Sequence, residues 1–148
     1  MEIACIPPEK AVSWLGLAPD VRPAGKEDRG PLDYDKLLTL TGELGYRLMM
    51  SGAEIYRVEE SVRYLLGAYG VDTGEVFAIP NCLIVSLRAS GQRPLTVVRR
   101  IPGHGTDIYR MEALNDLCRR LCQEVPDLDE AWVRLDRVLA DHTQFPTA

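Results

Sequence analysis

The stretch EVFAIPNCLIVSL, residues 75–87, decides the fold class of this 148-residue chain. Its two halves, EVFAI and CLIVSL, are rich in apolar and β-branched residues and too short for helices, and Pro80-Asn81 between them favours a tight turn. A third run of this kind covers residues 95–101, after the turn-forming residues 89–92. Short separators favour pairing of consecutive strands, so the sequence predicts a three-stranded antiparallel meander.

Two helices are predicted before these strands. Apolar residues between Asp33 and about Met50 recur at spacings of three, four and seven, which is the pattern of an amphipathic helix. Gly52 then interrupts the pattern, and Ser51 stands three residues before Glu54, the spacing of a capping box that begins a second helix. Gly70 lacks a Cβ and is suited to end that helix. The first two helices therefore form a hairpin.

Two more helices are predicted after the strands. Thr106 or Asp107 can cap the third helix, and Pro126-Asp127 restarts the chain into the fourth. Because strands and helices occur in separate runs, we expect an α+β fold: a helical hairpin, a three-stranded antiparallel sheet, and then two helices packed on one face of the sheet. The predicted apolar faces of these last helices consist of Ile108, Met111, Leu114, Leu117, Cys118 and Leu121, and of Leu128, Trp132, Leu135, Val138 and Leu139.

The composition excludes several classes of function. Hydrophobic residues make up 46% and charged residues 26% of the chain, the balance of a globular domain. The net charge is −5 and no basic cluster is present, so a nucleic acid is not an expected partner. A membrane span needs about 20 mostly apolar residues, and the apolar runs of this sequence are far shorter. The start, MEIACIPPEK, lacks the apolar core of a signal peptide, which favours a cytosolic location.

Three segments are expected along the chain. Residues 1–32 contain five prolines and three glycines and form an extension, in which Trp14 would anchor a short amphipathic turn on the body. Residues 33–142 form a single α+β domain, long enough to bury a sizeable core. Residues 143–148 form a tail.

Four strings resemble the threonine/serine exporter family: SGAEIYRVEESVRYLLGAYG at 51–70, VFAIPNCLIVSL at 76–87, TVVRRI at 96–101 and GTDIYRMEALN at 105–115. The resemblance covers about residues 36–140. It implies a soluble domain on the cytoplasmic side of the cell membrane, preceding a membrane-spanning part that exports small amino acids or, in relatives, dicarboxylates. It also implies that the tail leads to this membrane part, which is then the expected partner, as a segment or as a separate subunit.

Charged residues in these strings are candidates for contacting a ligand or a partner. One group lies on the second helix, in the strongest motif of the resemblance, and is expected to meet the membrane part or a second copy. The other group begins at the end of the third strand and continues into a glycine loop before a helix N-terminus, where free N–H groups favour a carboxylate or another anion. Solvated or ion-paired side chains and an ordinary turn explain the same pattern. The candidates are Glu54, Arg57, Glu59, Arg99, Arg100, Gly105, Thr106 and Asp107.

Ser51, His104 and Asp107 are the candidates for catalysis, because a serine nucleophile needs a base and a carboxylate that orients the base. The sequence around Ser51 lacks the elbow G-x-S-x-G, and helix capping explains both Ser51 and Asp107. At His104 the family more usually has an arginine. No catalytic residue is therefore assigned. A hydrolase using Ser51 with His104 is one alternative, and a homo-oligomeric scaffold that associates through sheet edges is the other.

The cysteines predict neither a disulfide framework nor a metal site. Cys118 and Cys122 lie four residues apart on the third helix, but a closed zinc site needs four ligands, and no histidine or further cysteine is near them in the sequence. We expect these two thiols to be buried in the core. No metal and no cofactor is expected.

Overall fold

The computed structural model describes residues 31–71, 73–89 and 91–141. The predicted α+β class, the helical hairpin and the order of elements are confirmed. Most of the predicted extension, including Trp14, and the predicted tail lie outside the described residues. The elements are α1 Tyr34–Met50, α2 Ile55–Ala68, β1 Glu75–Ile79, β2 Cys82–Leu87, β3 Leu95–Arg100, α3 Ile108–Glu124 and α4 Leu128–Ala140.

The described part of the chain is built in layers. The sheet has the order β1-β2-β3, and both pairs of neighbouring strands are antiparallel. α1 lies against β2 and β3, and α2 lies against β1. α3 and α4 pack on the hairpin of α1 and α2 and on each other. All four helices are therefore on one side of the sheet, and the hairpin contacts it directly.

The core lies between the sheet and the hairpin. The apolar face of α1 is buried, and Thr41 on this face donates its hydroxyl to the carbonyl of Leu37 at 3.0 Å, which satisfies its polar group. The strands alternate as expected, with Val76 and Ala78 of β1 facing this core. Two predictions for the buried face of α3 are wrong. Ile108 is 60% exposed and Met111 is only half-buried, because both lie in the first turn of the helix and the buried face begins at Leu114.

The helix ends confirm one predicted cap and correct another. Asp107 and Asp127 cap α3 and α4, and each accepts from a backbone N–H three residues later, at 3.0 and 2.8 Å. The predicted capping box is wrong, because Glu54 precedes α2 and no side chain caps that helix. Ser51 instead ends α1, and its hydroxyl donates to the carbonyl of Arg47 at 2.8 Å.

Candidate functional site

Two loops, the α1–α2 turn and the β3–α3 loop, are joined by backbone hydrogen bonds. The N–H of Gly105 donates to the carbonyl of Met50, and the N–H of Asp107 donates to the carbonyl of Ser51, both at 3.1 Å. A Cβ on Gly52 would lie 2.5 Å from the carbonyl oxygen of Gly105, and Gly52 has a φ of +92°, so this approach requires glycine. We call this contact between the two loops the joint. It places the first and last of the four motif strings side by side.

A small groove opens beside this joint, between the end of α1, the start of α2 and α3. Leu48 and Val58 are buried and form its floor, whereas Glu54 and Arg57 are exposed at its rim. The groove has a volume of about 180 Å³, several times the ~30 Å³ of one liquid water molecule and below the roughly 300–1,000 Å³ of pockets for drug-sized ligands. Its size therefore suits a small metabolite. Its lining consists of Leu48, Gly52, Ala53, Glu54, Arg57, Val58, Met111 and Asn115.

The rim of the groove carries one negative and one positive group. Nε of Arg57 lies 3.5 Å from Oε2 of Glu54 and donates to the Tyr56 hydroxyl at 3.2 Å. The hydrogen bond to Tyr56, together with the negative charge of Glu54, raises the pKa of Arg57, which is therefore cationic at any physiological pH. Arg57 and Asn115 also line an adjoining, more open polar groove. A carboxylate and a guanidinium thus stand next to each other over an apolar floor.

Sequence reasoning placed Glu54 and Arg57 among the binding candidates but missed Met111 and Asn115. Both belong to the string at 105–115, and their place on one face of a helix was readable from the sequence. Their position opposite Arg57 depends on the packing of α3 against α2, which a local pattern does not contain.

Glu59, another predicted binding residue, contacts the edge of the sheet. Its Oε1 accepts from the N–H of Ala78 in β1 at 2.8 Å. The next residue on this side of the strand is Pro80, which has no N–H. The described contact therefore gives Glu59 a structural role, since it satisfies a donor at an otherwise open strand edge.

Arg99 and Arg100 point to opposite faces of β3, and neither lines the groove. Arg99 stacks on the ring of Tyr46, 4.3 Å from its centroid, and donates to Glu43 at 2.5 Å. Glu43 also accepts from Arg47 at 2.7 Å. Burial would raise the pKa of Glu43, but the hydrogen bonds from the two arginines outweigh it and hold the pKa below its ordinary value of 4.5. Arg100 is exposed on the outer face. Sequence reasoning did not single out Glu43, although its i,i+4 spacing to Arg47 was visible.

The start of α3, predicted to bind an anion, is engaged within the chain. The N–H groups of Gly105 and Asp107 belong to the joint, and the N–H of Arg110 donates to the Asp107 carboxylate at 3.0 Å. This carboxylate occupies the place at the helix N-terminus where an external anion would accept hydrogen bonds. Thr106 is exposed, and its backbone lies against Gly52.

The three candidates for catalysis each have a different partner. Ser51 is 2% exposed and its hydroxyl donates to the Arg47 carbonyl at 2.8 Å. Nδ1 of His104 lies 3.4 Å from the carbonyl oxygen of Met49, and Asp107 caps α3. Because Ser51 is buried and directed at its own helix, it is not presented to a substrate. Its role in the described structure is to end α1.

The two cysteines of α3 are buried in the core, as predicted. The thiol of Cys118 donates to the carbonyl of Ser61 at 3.5 Å. A hydrogen bond with Cys122, followed by burial, raises the pKa of Cys118 well above its ordinary value. Within the described residues, no group of three or more histidine, cysteine, aspartate or glutamate side chains could hold a metal ion.

The geometry defines a class: a small α+β domain in which two distant charged motifs share one groove. Residues 39–148 match the family described as "Putative threonine/serine exporter", and the chain belongs to this family. Pheromone-regulated membrane protein 10 of Saccharomyces cerevisiae (strain YJM789) is 27% identical over 99 residues, which are 67% of this chain and 13% of that relative. The chain thus spans about an eighth of the relative's length. No solved structure matches it. None of the helices in the described ranges has both the length and the apolar character needed to cross a membrane.

Proposed function

We propose that this chain is the substrate-sensing domain of an amino-acid exporter and acts at the cytoplasmic side of the membrane on a membrane-spanning partner. One observation carries the proposal: the first and last motif strings, far apart in the sequence, line a single groove of metabolite size with a carboxylate and a guanidinium at its rim. Membership of the exporter family supports the connection to transport.

The lining of the groove suits the zwitterion of a small amino acid. Arg57 offers a planar guanidinium to the α-carboxylate, and Glu54 offers a carboxylate to the ammonium group. The side-chain amide of Asn115 can hydrogen-bond a hydroxyl, while Met111 and Val58 can contact a methyl group. Threonine and serine carry these groups within a small volume.

Binding at this rim should be weak. A zwitterion replaces the contact between Arg57 and Glu54 by two contacts of its own, and all of these charges are exposed to water. Exposed ion pairs contribute about 0–1 kcal/mol each, and two of them fall short of the ~4.1 kcal/mol that a Kd of 1 mM represents, so we expect a Kd of about 1 mM or weaker. A site of this strength responds to an accumulating metabolite and stays empty when the metabolite is scarce.

The joint offers a route from an occupied groove to the rest of the domain. A ligand would contact α2 and α3 together, and these elements follow the two loops that Gly52 and Gly105 hold in contact. Occupancy would therefore favour one arrangement of α3 relative to the hairpin. We propose that the membrane-spanning partner responds to this arrangement.

Calorimetric titration of the 148-residue chain with threonine, serine and succinate tests the proposal. We expect heat with both amino acids and less with succinate, which lacks an ammonium group. Glu54→Gln and Arg57→Ala should each weaken binding about threefold to fivefold, equal to at most ~1 kcal/mol, the contribution of one exposed ion pair.

Arg63→Ala is the matched control, because Arg63 is an exposed arginine of the same helix that does not line the groove. Absence of heat with all three ligands would contradict the proposal. Equal weakening in the control would do the same, since it would show that the charge of the helix, and not the groove, governs binding.

A further inference from the structure

The outer face of the sheet, opposite the helices, carries an apolar row. Phe77, Ile84 and Val98 are paired in register across all three strands. Phe77 is 57% and Val98 is 61% exposed, and Ile79, at the end of β1, is 40% exposed. The four described helices all lie on the other side of the sheet.

This exposure is unusual for a sheet that faces water on one side. Such sheets normally alternate apolar residues toward the core with polar residues toward solvent. In β1 the inward residues are Val76 and Ala78, whereas the larger Phe77 and Ile79 point outward. Contiguous exposed apolar residues with a polar rim mark interaction surfaces.

We infer that this outer face packs against the same face of a second copy of the chain. The charges at the edge of this face favour a second copy as the partner, because one copy carries both a negative and a positive group, and each can pair with the opposite group of an identical face. Glu75 stands at one corner, at the start of β1, and Arg100 stands at the diagonally opposite corner, at the end of β3. Both side chains are exposed.

A two-fold axis in the plane of contact converts these corners into two ion pairs. When this axis is perpendicular to the line that joins Glu75 and Arg100, Glu75 of each copy faces Arg100 of the other copy. The apolar rows of the two copies then meet in the centre. The strands of the two sheets then cross at a steep angle, close to the orthogonal class of sheet packing. An axis parallel to the strands places Arg100 over Ile79 and leaves both charges unpaired.

The size of the face sets the strength of this dimer. The outer strands are about 10 Å apart and the outer rows about 14 Å apart, so each copy buries well under the ~800 Å² per partner of a standard interface. The isolated chain should therefore dimerise weakly. Attachment of two copies to one membrane assembly would raise their effective concentration and favour the dimer. The inference does not depend on the groove, which lies on the other side of the sheet.

Sedimentation equilibrium of the 148-residue chain from about 10 µM to about 1 mM tests the inference. We expect the average mass to rise from monomer toward dimer over this range. Phe77→Ser and Val98→Ser should each raise the dimer Kd at least about fivefold, without loss of the circular dichroism of the fold. Val133→Ser is the matched control, because Val133 is 43% exposed on α4, and it should leave the Kd unchanged.

Charge reversal tests the arrangement of the two copies. Glu75→Lys and Arg100→Glu should each weaken the dimer, and the two together should restore it, because the ion pairs re-form with exchanged signs. A chain that stays monomeric up to about 1 mM overturns the inference. A double variant no tighter than the single ones also overturns it, as does a monomer that cosediments with lipid vesicles, because the face would then serve a lipid surface.

Discussion

Replacing Gly52 with alanine should destabilise the fold far more than replacing Gly70 with alanine. Both glycines have a positive φ, +92° and +88°, so alanine is strained at either position, by about 1 kcal/mol. At Gly52 the added Cβ would also lie 2.5 Å from the carbonyl oxygen of Gly105, whereas at Gly70 nothing lies within 4 Å. The two loops would have to separate, which weakens two backbone hydrogen bonds worth about 0.5–1.5 kcal/mol each. We therefore expect a loss of about 2–4 kcal/mol for Gly52→Ala and about 1 kcal/mol for Gly70→Ala.

Urea denaturation followed by circular dichroism measures both losses. The m-value should be the same in the wild type and the two variants, so that the shift in midpoint reports the free energy of unfolding alone. Equal losses in the two variants would refute the reasoning, because they would show that positive φ alone accounts for the requirement at Gly52. In that case the contact between the two loops would contribute nothing measurable.

Three further predictions concern the core and its charges. Glu43→Gln should lower the free energy of unfolding at pH 7 by about 1–2 kcal/mol. Because the folded pKa of Glu43 is depressed, this difference from the wild type should persist at every pH above 4.5, the ordinary pKa, and shrink as the pH falls through the folded pKa. Urea titrations from neutral to acid pH would check this dependence. Gly45→Ala should destabilise the fold by about 1–3 kcal/mol, because the added Cβ would lie 2.6 Å from a core side chain. Gly67→Ala in α2 should stabilise the fold by about 0.5–1 kcal/mol, because nothing lies within 4 Å of the added Cβ. Melting curves that rank the two variants the other way would contradict this. Cys118, buried and with a raised pKa, should resist thiol labelling at pH 8 until urea unfolds the chain, whereas the half-buried Cys82 should react before Cys118 does, as peptide mapping would show.

The elements of this fold could be predicted because their signals are local. Valine and isoleucine runs bounded by Pro80 and by the turn at 89–92 mark the strands, and the repeat of leucines in α1 marks its buried face. The prediction of a capping box was wrong because a serine three residues before a glutamate fits both the start of one helix and the end of another. Ser51 lies between two helices, and only the turn at Gly52 decides that it belongs to the first.

The sites could be predicted only in part, because they arise from contacts between distant segments. Glu54 and Arg57 were found from their motif, but the groove also needs α3 to lie against α2. The outer face shows a second limit. Both faces of β1 are apolar, and hydrophobicity alone favours Phe77 over Ala78 as the core residue, opposite to what is observed. The packing of the hairpin on the sheet determines which face is covered.

The contact between Glu59 and Ala78 limits how copies of this sheet could add to one another through their edges. Growth into a long ribbon requires each copy to accept a neighbour at both outer strands. On β1, one outward donor is already bound by Glu59 and the next position is Pro80, which has none. Addition through edges would therefore end after two chains meet at β3, and this asymmetry opposes open-ended polymerisation.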